Sequence, residues 1–227
     1  MTKAILAASA AALLLVTSQA VTAASVTVFT DETSYYNALE SYTLVDFEGI
    51  APANGYGTPE GGAYTVNTAS VVDGVTFTAD GGTLGVISAT HSVLGTPYPS
   101  DVLFSNNGYA LTADLTTAGS GYTAVAGTFG SLLNDALEAT VTIMGLSGIL
   151  ATETLTTEEF GVGNPISFLG FTVHGDEIVS VTFDATGNFE GIDDFSFGLA
   201  SVPVTPALPL LGGAIGLLGL TRRKRAA

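Results

Sequence analysis

The side chains able to do chemistry in this chain are almost all carboxylates. Asp46 and Glu48 flank Phe47, and Glu190, Asp193 and Asp194 surround Gly191 and Ile192. Paired acids are the working groups of glycoside hydrolases, one protonated and one ionised across the scissile bond. The spacing lends that chemistry no support, because acidic residues run throughout the middle of the chain. A hard divalent cation is the better match, since calcium takes several carboxylate and carbonyl oxygens on loops that can bend. The expected calcium ligands are Asp46, Glu48, Glu190, Asp193 and Asp194. Asp46 and Glu48 lie two apart on an expected strand and so face one side of it. If the first and last strands are neighbours, as they often are in a jelly roll, Glu48 comes near Asp193. The competing reading is that these acids cap or solvate strand edges. No EF-hand loop and no nonapeptide calcium repeat is present.

The other reactive types are sparse. There is no cysteine, and His91 and His174 are the only histidines. A serine hydrolase needs a histidine held between a serine and a carboxylate. His174 falls at an expected turn between two strands and His91 in a long loop, where exposed histidines are ordinary. No nucleophile elbow, zinc-protease helix motif, phosphate-binding loop or dinucleotide fingerprint occurs. No residue is assigned as catalytic. Tyr56, Tyr64, Tyr98 and Tyr109 fall in or beside two Gly- and Pro-rich loops. Rings among Asn and Asp can stack on a sugar and hydrogen-bond its hydroxyls. The alternative is that these tyrosines pin the loops onto the core.

The charge distribution narrows the function further. The net charge is −16, and the five basic residues are Lys3, Arg222, Arg223, Lys224 and Arg225. No Lys or Arg lies between Ala4 and Thr221, where all 21 carboxylates are found. That middle cannot form an internal Lys or Arg salt bridge. It also cannot bind nucleic acid or anionic lipid by charge. Its acids serve solubility, or some of them are neutralised by divalent cations.

The elements that position these residues read as strands. Residues 25–30 alternate β-formers with small polar residues. Asp31 then caps a short helix through about Leu39, with Tyr35, Tyr36 and Leu39 as its apolar stripe. Residues 44–48 read as a strand, 49–62 as a long loop, and Asp73-Gly74 as a turn into another strand. Residues 83–88 form a further strand and 89–107 a second long loop. Short β-type runs follow at 109–115, 122–129, 139–144, 150–155, 166–173, 178–183 and 192–199, separated by Gly-, Asn- and Asp-rich turns. About ten such strands with one small helix predict an all-β fold, an antiparallel, jelly-roll-like β-sandwich. No composition break divides 25–201, which is expected to be one acidic ectodomain.

The two ends are of a different kind. Lys3, the apolar run 4–16 and the small residues Val21, Thr22, Ala23 and Ala24 form a secretory signal peptide over 1–24. The secretion machinery and a signal peptidase are its expected partners. Residues 202–227 place Val202, Pro203, Pro206, Ala207 and Pro209 before an apolar run, and end on Arg222, Arg223, Lys224 and Arg225. As a helix, 207–220 reaches about 21 Å at about 1.5 Å per residue. A bilayer core needs about 30 Å. This transmembrane-like helix is therefore a poor permanent anchor, and the basic cluster sets its orientation, cytoplasmic at the end of the chain.

Proline motif, short span and basic end together resemble the PEP-CTERM class of bacterial sorting domains, and most closely its VPLPA-CTERM variant. Val204-Thr205-Pro206 departs from the variant's pattern. The stretch LVDFEG and the segment 168–198 are also similar to the β-rich ectodomains found upstream of such tails. The resemblance implies a Gram-negative exported protein, recognised near Val202–Pro206 by an exosortase-type membrane peptidase or transpeptidase. It would be tethered in the inner membrane as a precursor, then displayed at the cell surface or released into an exopolysaccharide or biofilm matrix. The expected function is that of a non-catalytic cell-surface or extracellular-matrix protein. The alternative is a carbohydrate-binding module acting on extracellular polysaccharide through the loop tyrosines, with or without calcium.

Overall fold

Alternation decides the architecture. In the stretch from Leu137 to Gly145, every odd residue is buried and Glu138, Thr140, Thr142 and Met144 are not. A strand of this pattern has one apolar face to bury and one wet face. The computed structural model describes residues 24–58, 69–91, 99–105, 110–132, 136–158, 166–185 and 190–201. Their order is β1 (Ser25–Phe29), α1 (Glu32–Asn37), β2 (Leu39–Val45), β3 (Tyr56–Gly57), β4 (Ala69–Val72), β5 (Val75–Ala79), β6 (Leu84–Ile87) and β7 (Val102–Ser105). Then come β8 (Leu111–Asp114), β9 (Ala124–Ser131), β10 (Leu137–Gly145), β11 (Gly148–Thr157), β12 (Ile166–His174), β13 (Ile178–Asp184) and β14 (Glu190–Ala200).

The fold is an all-β antiparallel sandwich. One sheet runs β1-β12-β9-β14-β7-β6-β3, with β2 also paired to β14, and the other runs β11-β10-β13-β8-β5-β4. The apolar faces meet in one core. Phe77 of β5 stands edge-on to Phe195 of β14 at 5.4 Å and to Phe47 at 5.5 Å. Phe129 of β9 lies 5.0 Å from Phe183 of β13. All five rings are fully buried, each contributing about 1.5–3 kcal/mol relative to exposure.

β14 is the strand on which the first sheet depends. Along one side it pairs with β9. Along the other it pairs with β7 over Glu190–Ile192 and with β2 over Phe195–Ala200. The β14–β9 register shifts between Asp193 and Ser196, and Asp194 has φ 47. This is a β-bulge, which kinks the strand and re-aims its side chains. Gly198 is required farther along, where β2 crosses closely. A Cβ there would stand 2.7 Å from Tyr42 Cα and press on the Ser41 carbonyl.

α1 covers the outer face of the same sheet. Asp31 Oδ1 accepts the Ser34 N–H at 2.8 Å, the expected cap, and that hydrogen bond holds the Asp31 carboxyl below its ordinary pKa. Tyr35 is fully buried against Ala124, Ala126 and Gly170. A Cβ at Gly170 would come within 2.7 Å of its ring.

Three expectations are corrected. The strand expected over 44–48 starts at Leu39 and ends at Val45, so Asp46 and Glu48 lie beyond it, not on one strand face. The cause is at Phe47, whose φ of 57 turns the chain and drops its ring into the core. The loop expected over 89–107 contains β7, four residues buried on both faces and therefore without alternation. The loop expected over 49–62 contains the short β3. The Asp73-Gly74 turn is present, with φ 48 and 86. The signal peptide and the sorting tail lie outside the described residues, as do Tyr64, Tyr98 and Tyr109. Among the described residues no helix is long and apolar enough to cross a membrane.

The close crossing of β2 and β14 gives a direct test. Gly198→Ala is expected to cost about 1–3 kcal/mol in a denaturant titration, because the atoms it meets are backbone and cannot swing aside. An unchanged midpoint would contradict the crossing.

Candidate functional site

The expected carboxylates divide into two groups on opposite faces of β14. Asp193 projects toward the outer face, into the notch left where β7 stops pairing and β2 has not yet begun. Ser100 donates its hydroxyl to Asp193 Oδ2, and the Asp194 N–H donates to Asp193 Oδ1 at 2.8 Å. The turn after β2 brings the other acids alongside. Glu48 Oε1 accepts the Asp101 N–H at 3.0 Å, and Asp46 Oδ1 accepts the Glu48 N–H at 3.2 Å. Asp101 itself accepts the Ala89 N–H at 3.1 Å, which ties in the loop after β6. Asp46, Glu48, Asp193 and Asp194 therefore do meet, and Ser100 and Asp101 join them from the segment before β7.

The electrostatics of this notch follow from crowding without a counterion. Asp193 is 2% exposed, and its pKa rises from 3.8 to about 7. Burial is the main cause; the Ser100 hydrogen bond opposes it, and the charges of Asp194 and Glu48 add to it. Asp194 is raised too, by burial and then by the charges of Glu32 and Asp46. The sequence reading missed Ser100, Asp101 and Glu32, because nothing in their local pattern points to β14. As hydrogen-bonded here, no three His, Cys, Asp or Glu side chains among the described residues converge closely enough to hold a metal ion. The acids are gathered, but both Asp193 oxygens and one oxygen each of Asp46 and Glu48 accept N–H or hydroxyl donors.

Glu190 is a correction. It was expected beside Asp193 and Asp194 on a common cation. It is instead the first residue of β14 and points inward, between the sheets. It is fully buried, and Oε1 accepts the Ala185 N–H at 2.6 Å. Oε2 has no hydrogen-bond partner, and neither does the buried hydroxyl of Ser105, directly across the β14–β7 ladder. Burial pushes its pKa from 4.5 up to about 8, with Asp184 adding and the Ala185 and Leu111 N–H groups opposing. Residues three apart on a strand face opposite ways. Glu190 and Asp193, the two acids pushed up to the neutral range, are thus separated by the sheet itself.

The remaining candidates are placed as follows. Tyr56 is half-buried, its ring 4.5 Å from His91 and 5.8 Å from Phe104, so it anchors its loop against the first sheet. His91 is buried beneath that contact, with Nδ1 unpartnered. His174 ends β12 opposite Ser25. Three of the clefts among the described residues run over strand surfaces and are lined mostly by threonine, alanine and serine. Neither Asp193 nor Glu190 lines them.

No family model, curated protein or solved structure matches this chain. Any account of its function rests on its own residues and on the resemblance of its tail.

The buried acids make stability pH-dependent in a defined direction. Glu190 and Asp193 have folded-state pKa values raised above their ordinary ones, so the folded form holds these protons more tightly than the unfolded chain. Their stabilisation is complete below about pH 4 and is lost as pH rises through about 7 for Asp193 and about 8 for Glu190. In metal-free buffer the melting temperature is expected to fall between pH 5 and pH 8.5. Glu190→Gln, whose amide can still accept from Ala185 and can donate to Ser105, should melt several degrees higher than the parent at pH 8.5 and close to it at pH 4.5. A parent protein that gains stability across this range would contradict the assignment.

Proposed function

We propose that this chain is an exported, non-catalytic cell-surface or extracellular-matrix protein of a Gram-negative bacterium, delivered by its leader and sorted by its tail. The observation that carries the reading is the segregation of charge. All basic residues lie in the leader or the tail, and the sandwich between them carries only acids. Such a domain stays soluble and unaggregated at a surface or in a hydrated matrix. Lys3 and the basic end are what a secretion signal and a membrane-stop need.

The carboxylates support a display role over a hydrolytic one. Hydrolysis of a glycoside needs two acids facing each other across one bond in a shared cleft, one protonated and one ionised. Here the two acids raised to the neutral range face opposite sides of β14, one in the core and one in a hydrogen-bonded notch. Both act as clamps on the backbone. Glu190 joins β14 to the end of β13 through Ala185, and Asp193 joins it to the segment before β7 through Ser100. The alternative of a carbohydrate-binding module rests on tyrosines other than Tyr56, whose ring is packed against His91 and Phe104.

Calcium enters this reading at the notch alone. Repulsion among Asp46, Glu48, Asp193 and Asp194 is what a divalent cation would relieve there. Binding would require Asp193 and Glu48 to exchange their present donors for the ion. On the calcium reading the melting temperature rises by several degrees in millimolar calcium over chelator, and Asp193→Asn abolishes the rise. Equal melting temperatures remove calcium from the account.

Processing is tested in the native host by mass spectrometry of the mature protein. The expected product begins at Ala24 or Ser25 and has lost the residues beyond the Val202–Pro206 region. Deleting the exosortase-type peptidase should leave the tail in place. A full-length product in the presence of the peptidase would overturn the sorting assignment.

A further inference from the structure

The exposed apolar side chains are not scattered evenly over the sandwich. Leu146 is 72% exposed and Ile149 68%, the highest among the described large hydrophobic residues. Both stand at the β10–β11 hairpin, around Ser147 and Gly148. Two bare aliphatics three residues apart at one hairpin turn present apolar surface to solvent at a single place in the fold. The hairpin is held in shape: the Leu146 N–H donates to the Glu177 carbonyl at 3.2 Å, and Asp176 accepts from the Ser147 N–H and hydroxyl.

The topology says which end of the molecule this is. Gly145 pairs with Ile178, just after the β12–β13 turn, and the Ile178 N–H donates to the Tyr122 carbonyl at 2.8 Å. The Thr123 N–H next to it donates to the Gly198 carbonyl at 2.9 Å, near the end of β14. Tyr42 and Leu199, 52% and 39% exposed, border one cleft with Tyr122 at the same end. The last described residue, Ser201, leaves from here. Residues 202–209 separate it from the apolar run, and even fully extended at about 3.6 Å per residue they reach roughly 29 Å. A sandwich tethered through that run is held with this end toward the bilayer.

We propose that the Leu146–Ile149 hairpin tip is a lipid contact, entering the interface of the bilayer that holds the precursor's tail. This rests on the membrane-tethered reading of the tail. The occupant is a neutral, zwitterionic lipid surface. Asp176 and Glu177 flank the tip, and the domain has no Lys or Arg to attract anionic headgroups. Partition of the two aliphatic side chains, not charge, supplies the attraction. The contact docks the acidic domain in one orientation and presents the start of the tail close to the membrane surface, where a membrane peptidase works.

The native chain has no cysteine, so one labelled site is unambiguous. Full-length protein carrying Leu146→Cys with an environment-sensitive fluorophore is reconstituted in phosphatidylcholine vesicles and isolated by flotation. The expected result is a blue-shifted emission, quenched by lipid-borne quenchers and shielded from iodide. The same label at Asp80→Cys, at the far end of β5, should stay iodide-accessible. Adding Ile149→Ser to the Leu146→Cys protein should cut the shift by half or more. A label at 146 that iodide reaches as readily as at 80, on protein that floats, overturns the contact and leaves the tether standing. A label shielded from iodide but untouched by lipid quenchers also overturns it, in favour of a protein partner or a second copy. Protein that does not float at all removes the tether and the contact together.

Discussion

The constraint on which the rest depends is that the folded part of this chain has acids and no Lys or Arg. A buried carboxylate in most proteins is matched by a cationic side chain; here none exists between Ala4 and Thr221. Taking an ionised carboxylate out of water without a partner is prohibitive, so it must be met by N–H or hydroxyl donors or hold its proton. Both outcomes are visible. Asp101 is met by a backbone N–H group, and Asp193 by Ser100 and its own neighbour's N–H. Glu190, enclosed and with one oxygen unpartnered, keeps its proton into the neutral range.

These solutions fall on β14 because that strand has the most neighbours to join. Its first half is flanked by β9 and β7 and its second half by β9 and β2. The bulge at Asp194 marks the change of partner, and the carboxylates occupy the space the change leaves open. The hydrogen bonds they make run to segments outside the ladder: the turn after β2, the loop after β6, the approach to β7 and the end of β13. The acidic residues thus do structural work that sheet pairing alone does not.

Much of this was legible in the sequence, for reasons that can be named. β10 alternates cleanly and β13 in part, while β12, buried through most of its second half, reads as a β-type run without a period; the expected strands overlap all three to within a few residues. Asp31 announced the start of α1 as a cap, and Asp73-Gly74 announced its hairpin. The meeting of Glu48 with Asp193 was expected from the adjacency of early and late strands. Three features were hidden. β7 is buried on both faces, so it has no period. Asp46-Phe47-Glu48 looks like a strand, and only the left-handed Phe47 ends it. Glu190 carries a charge at the border of a loop, a place where acids are normally wet. Its inward direction is set by its register with Ser105, which no local pattern records.

The central claim, that a cation-free sandwich buries a carboxylic acid in its neutral form, is tested most directly by following the Glu190 side-chain carbon by NMR. With Glu190→Gln as the assignment control and metal-free buffer, its resonance should titrate near pH 8. A Glu190 carboxyl already ionised at pH 6 would contradict the account.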